Sequence, residues 1–247
     1  MFGRNRDEKA GTRTGEQRTL DDIVVRDKGS SVSVSALIDR AVRFAGGRAA
    51  SRVASLRRRH PHDTPAQLIA RLERQYVSRS SKQGGAVGAV AAVPALGTAA
   101  ALGVTGAQVA AYLEESAEFV LAVAEVHGIH PDDAPRRRTL VLAALLGEEG
   151  MELVHGAVGI GSLAWLRTAM TKLPTATIRT VNKQLSKRLA QGASRTLLAR
   201  MGGRLLPFGI GAVVGWTATR AMAKDVVEGT AALFGPAPRV FGRTIEG

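Results

Sequence analysis

The chain has 247 residues, a formal net charge of +13, no cysteine and only 4% aromatic residues. That length can bury a real core as one large domain or two small ones, and the absence of cysteine excludes disulfides, zinc–thiolate centres and cysteine nucleophiles and favours an intracellular setting. Abundant Ala and Gly with little β-branched alternation predict an all-α chain, a multi-helix bundle with Gly/Ala-rich helical hairpins.

Residues 1–30 mix both charges, seven basic and six acidic up to Lys28, and hold few large apolar groups. They read as a disordered charged tail. MFGRNRDEKAGTRTGEQ lacks an apolar core, which predicts no classical signal peptide. The helical domain is expected over 31–235, with a loose Pro/Gly-rich tail over 236–247.

Helical periodicity begins near Val32, with Leu37, Ile38, Val42 and Ala45 on one face. Gly46-Gly47 is expected to break or bend that helix. Its second part ends in Arg57-Arg58-Arg59 beside His60 and His62. These could hold phosphate, but they suit the negative C-terminal end of a helix dipole better. In HPHDTPAQL, Thr64 can cap, Pro65 fits the first helical position and Gln67 completes a capping box. Leu68, Ile69, Leu72 and Tyr76 then face inward, with Arg71 and Arg74 outward.

Gln83 to Leu113 carries no charge. Pro94 divides it, so two helices are expected to meet at Pro94-Ala95-Leu96-Gly97. Gly84 and Gly88 form a small-xxx-small pair that lets backbones approach closely. Partial membrane insertion, a packed hairpin in a core and, last, a complete span are the three readings. The last is weak because few of its residues are the Leu, Ile, Phe or Val that drive insertion. Helix should resume near Thr98 and continue to His127. In its second half Glu114, Glu115, Glu118 and Glu125 alternate with apolar residues, the pattern of a segment with a water-facing acidic side.

His127, His130, Asp132 and Asp133 are metal-competent types, though their spacing matches no strong motif. Asp132 or Asp133 before Pro135 reads better as a helix cap. Arg136-Arg137-Arg138 follows on a first turn, where the dipole disfavours cations. Glu148, Glu149 and Glu152 lie within reach of His155, a set that could do acid–base work but equally suits a helix N-terminus. No catalytic, cofactor or metal residue is assigned.

From Glu152 to Asp225 no acidic residue intervenes, and eleven Lys and Arg lie between Arg167 and Lys224. In TIRTVNKQLSKRLAQ, Ile178, Val181, Leu185 and Leu189 share one side and Arg179, Lys183 and Lys187 another. A shorter basic helix, SRTLLARM, should follow. Arg179, Lys183, Lys187, Arg188, Arg195, Arg200 and Arg204 are the candidate contacts to an anionic partner. Pro207, Gly209, Gly211 and Gly215 open a further uncharged run, in which Gly211 and Gly215 again give a small-xxx-small face beside Trp216. With Gly84, Gly88, Pro94 and Gly97 they are the expected helix-packing positions.

ASRVASLRRRHPHDTPAQLIARLERQY, AVGAVAAVPALGTAAAL, LEESAEFVLAVAEVHG and NKQLSKRL…RLLPFGIGAVVGWTATRAMA together resemble the EcsC protein family, over roughly residues 35–227. The resemblance implies a bacterial, membrane-associated helical protein at the inner face of the cell membrane, linked to an ABC transporter or another membrane protein and to secretion. It carries over no catalytic residue. The function expected is therefore a non-enzymatic accessory or structural role, in contact with anionic lipid through the basic region. A homo-oligomer is compatible with this. The alternative is a metal-dependent, peptidase-like hydrolase using the His127–Glu149 cluster. Nucleic-acid binding ranks third, because aromatic residues for base stacking are scarce.

Overall fold

The computed structural model describes residues 24–27, 30–91, 97–131, 133–158, 173–201 and 211–241, with side chains described over 32–86, 107–131, 133–156, 173–191 and 215–241. Among the described residues seven helices account for nearly all the regular structure, an all-α bundle as the composition predicts. They are α1 (Val34–Arg59), α2 (Pro65–Ala91), α3 (Gly97–Val126), α4 (Ala134–Leu146), α5 (Glu148–Val158), α6 (Thr175–Met201) and α7 (Gly211–Phe234). Across the boundary between the expected tail and the helical domain, β1 (Val24–Asp27) pairs antiparallel with β2 (Ser30–Ser33), and β1 packs on α3.

α1 packs chiefly on α3, and α2 on α7 and α3. α4 touches α1, α3, α5, α6 and α7. One continuous core results, containing Leu37, Ile38, Leu56, Leu68, Leu72, Val120, Leu140, Leu142, Ile178, Leu185 and Phe234. Tyr76 of α2 stacks on Phe119 of α3, centroids 4.6 Å apart and planes 4° from parallel. Its hydroxyl meets that of Ser116 at 2.8 Å, and Ser116 donates to the Tyr112 carbonyl at 2.7 Å. The Tyr112 hydroxyl in turn donates to the Met222 carbonyl of α7 at 3.2 Å. A short polar chain thus passes through an apolar core with its groups satisfied.

Local signals place the helix ends. Gln67 N–H donates to Thr64 Oγ1 at 3.3 Å and Thr64 N–H to Gln67 Oε1 at 2.8 Å, a reciprocal capping box before α2. Asp133 caps α4 by accepting from Arg136 N–H at 2.8 Å. α4 stops at Gly147, whose φ of 64° is the left-handed conformation glycine adopts without strain. Helices α2 and α3 flank residues 92–96, so the Pro94 junction itself lies outside the described residues.

Two expected interruptions are absent. α1 runs unbroken through Gly46-Gly47. Two glycines cost a helix about 1 kcal/mol each relative to Ala. Burying a side chain such as Leu37, Ile38 or Leu56 contributes about 1.5–3 kcal/mol each, so packing on either side outweighs the break. Basic segments 177–191 and 194–201 are likewise one helix, α6, rather than two.

Helices approach one another closely at several glycines. A Cβ on Gly84 of α2 would lie 2.5 Å from the Gly215 carbonyl oxygen and 2.1 Å from Thr219 Oγ1 of α7. A Cβ on Gly229 would meet the Ala144 carbonyl oxygen at 2.2 Å, and one on Gly150 the Ala143 carbonyl oxygen at 2.3 Å. α5 and α7 therefore both lie against the C-terminal turn of α4. Gly88 is within α2, Gly97 opens α3 and Gly211 opens α7, but their surroundings, and Pro207 and Gly209 altogether, are outside the described residues.

Candidate anion-binding surface

α6 buries Ile178, Val181, Leu185 and Ala190, with Leu189 partly buried, and is held on α4 and α5. Its opposite side carries Arg179 and Lys183, both exposed, and the half-buried Lys187, each four residues from the next. At 100° per residue these three share one stripe. Arg188, also exposed, is about 100° further round the helix. α6 contains no Asp or Glu. None of these four cations has an acidic partner among the described residues. The side chains of Arg195 and Arg200, and the whole of Arg204, lie outside the described residues.

The first-turn arginines of α4 behave differently. Arg136 pairs with the capping Asp133 and donates to the Leu173 carbonyl at 2.7 Å. Arg137 donates to the Pro131 carbonyl at 3.1 Å and lays its guanidinium on Gly46 of α1. Arg138 pairs with Asp39 and bonds Ser35 of α1 at 3.0 Å and Ser186 of α6 at 3.3 Å. These three cations are consumed in joining α1, α4, α6 and the adjoining loops. Arg138 in particular ties the basic helix to the N-terminal turns of α1.

The acidic side of α3 faces neighbouring helices rather than water. Glu114 pairs with Arg40 at 3.2 Å, and Glu118 with Arg52 at 2.6 Å, while Arg52 also reaches Gln75 at 3.0 Å. Glu115 accepts from Ser80 at 3.3 Å and Gln83 at 2.7 Å. Burial pushes the Glu115 carboxyl above its ordinary range, and the Ser80 bond pulls it partly back. The pattern in the sequence was amphipathic. What it could not reveal was that α1 and α2 supply matching donors.

The metal-competent set does not converge among the described residues. His127 is buried, its Nδ1 within 3.0 Å of the Val123 carbonyl, which makes that nitrogen the protonated one. Its ring stacks on Phe234 at 5.3 Å. His130 is exposed and pairs with Glu125 at 3.0 Å. Asp133 is the α4 cap, and Asp132 is outside the described residues. Glu148, Glu149 and Glu152 are exposed at the start of α5, favourably placed for its dipole. No group of three or more His, Asp or Glu among the described residues is placed to hold a metal ion.

A cavity of about 190 Å³ opens between α2, α3 and α7, lined largely by Ala66, Ile69, Ala70 and Phe234, with His127 and Glu73 on its wall. Desolvation holds the Glu73 carboxyl above its usual range, partly offset by Arg74. It is an apolar recess with one carboxyl. Among the described residues, no helix is long and apolar enough to cross a membrane.

Comparison of the chain with family models, with curated proteins and with solved structures found no match.

Proposed function

We propose that this protein is a peripheral membrane-binding helical bundle without catalytic activity, which docks on anionic phospholipid through the basic side of α6. The observation that carries this is the Arg179–Lys183–Lys187 stripe on a helix without a single acid. Elsewhere among the described residues Arg40, Arg52 and Arg138 are paired with acids. Cations left in water with no partner are available to a surface of opposite sign. A Lys or Arg close to an anionic leaflet is worth about 1 kcal/mol. Three or four together contribute about 3–4 kcal/mol, a millimolar-range, salt-sensitive attraction without new apolar burial. The half-exposed Trp216, 41% accessible, is a residue type suited to the headgroup region. The EcsC-like residue pattern points the same way, towards the inner face of the cell membrane and a role beside a membrane transporter.

The test is co-sedimentation of the full chain with phosphatidylcholine vesicles, with and without phosphatidylserine. Binding is expected only with the anionic lipid, falling as salt rises. Arg179→Glu with Lys183→Glu should weaken it by about 30-fold or more, two contacts of about 1 kcal/mol each. Equal binding to both vesicle types, or indifference to the double substitution, removes the reading.

A further inference from the structure

α1 sorts its arginines. Arg40 and Arg52 turn towards α3 and pair with Glu114 and Glu118. Asp39, the only acid on α1, is taken by Arg138. Arg43, Arg48 and Arg58 remain exposed, with no acid on α1 left to meet them. Between them the outward residues are small: Gly47, Ala50, Ser51 and Ala54, all exposed. Among these small side chains stands Phe44, 56% accessible. The Arg48 guanidinium lies one turn on, 6.0 Å from the Phe44 ring centroid. The same pairing recurs on α7, where Arg220 lies 5.2 Å from the ring of Trp216.

An exposed ring on a core-forming helix is ordinary when solitary. Here it projects from a cationic ridge whose single acid, Asp39, is already paired with Arg138, and a neighbouring cation lies beside the ring. That combination fits a bilayer. The headgroup layer supplies phosphates for the guanidinium groups, and the acyl boundary just beneath takes the ring. A nucleic-acid surface offers the phosphates but would need several stacking rings, not one. We infer that the outward face of α1 is a second membrane contact of this protein, in which Phe44 enters an anionic phospholipid bilayer while Arg43, Arg48 and Arg58 bind lipid phosphates around it. The inference rests on the peripheral-membrane reading and extends it from attraction by α6 to insertion by α1.

The chain contains no cysteine, so one introduced thiol can be labelled alone. Phe44→Cys carrying an environment-sensitive fluorophore is expected to shift to the blue with vesicles containing phosphatidylserine, but not with pure phosphatidylcholine. The same label at Glu149→Cys, on α5, should remain unchanged. In parallel, Phe44→Ala should lower affinity for anionic vesicles by about tenfold, the loss of one partly inserted ring. Phe44 is exposed, so neither substitution threatens the fold. If anionic vesicles bind and the α6 substitutions weaken them, yet the label is silent and Phe44→Ala binds like the parent, the α1 contact is overturned and the α6 reading stands. A parent chain that binds no vesicle overturns both. A blue shift with duplex DNA in place of vesicles overturns the lipid assignment.

Discussion

Replacing Gly84 by Ala should destabilise the protein, whereas the same change at Gly47 should stabilise it. Both residues lie inside long helices, so both changes gain about 1 kcal/mol of helix propensity. Gly47 faces open space, with nothing within 4 Å of an added Cβ. There the propensity gain should appear almost undiminished, about 0.5–1 kcal/mol. At Gly84 the new methyl would sit 2.5 Å from the Gly215 carbonyl oxygen, where ordinary contacts begin at 3.4 Å. The obstacle is backbone, so it cannot be relieved by a rotamer change. α2 and α7 would have to move apart by about 1 Å along their shared seam, and overpacking against fixed backbone costs about 2–3 kcal/mol, the upper part of the usual range. The net loss is about 1–2 kcal/mol, or a fall in Tm of roughly 2–8 °C for a chain of this size. Thr219→Ala should not rescue it, because the Thr219 Cβ, at 2.6 Å, and the carbonyl both remain. Urea unfolding followed by circular dichroism at the helical band measures both variants. A Gly84→Ala protein as stable as the parent would refute the contact between α2 and α7, and with it the claim that glycine sets their spacing.

Arg52→Ala should cost about 2–3 kcal/mol in the same assay, because it strands the largely buried Glu118 and removes the bond to Gln75, whereas Arg43→Ala should change stability by less than about 0.5 kcal/mol. Equal effects would show that the inward and outward arginines of α1 are not distinct. For Glu115 the folded carboxyl titrates above its unfolded value of 4.5. The folded state therefore holds its proton longer, and the stability this contributes is present below the unfolded pKa and lost as pH rises through the folded one. Glu115→Gln cannot ionise, so its stability relative to the parent should improve between about pH 4 and pH 7. A difference that is constant, or reversed, across that range counts against burial as the cause.

Much of the helical layout was legible because it is written locally. Thr64 and Gln67 cap each other across three residues, Asp133 reaches Arg136, and Gly147 ends α4. The buried sides of α2 and α6 follow from the spacing of Leu68, Leu72 and Tyr76, and of Ile178, Val181 and Leu185. The basic stripe of α6 was equally visible, since it needs only residue type and a 100° step. The interruptions expected at Gly46-Gly47 and after Gln191 did not occur. Propensity is a small free energy, and at Gly46-Gly47 burial on both sides exceeds it.

The sequence by itself determined an all-α chain, the ends of its capped helices, and a long basic region without acids. All of these depend on interactions spanning a few residues, or on composition alone. Tertiary structure alone decided which charges are spent and which remain. It turned Glu114 and Glu118 towards Arg40 and Arg52, used Arg136, Arg137 and Arg138 as ties, and left Arg43, Arg48 and Arg58 outward around Phe44. It also matched Gly84 to Gly215 across two helices far apart in the chain. A salt bridge or a close backbone contact falls off within a few ångströms. Its partner is therefore fixed by where the folded helices cross, a distance that sequence position does not encode.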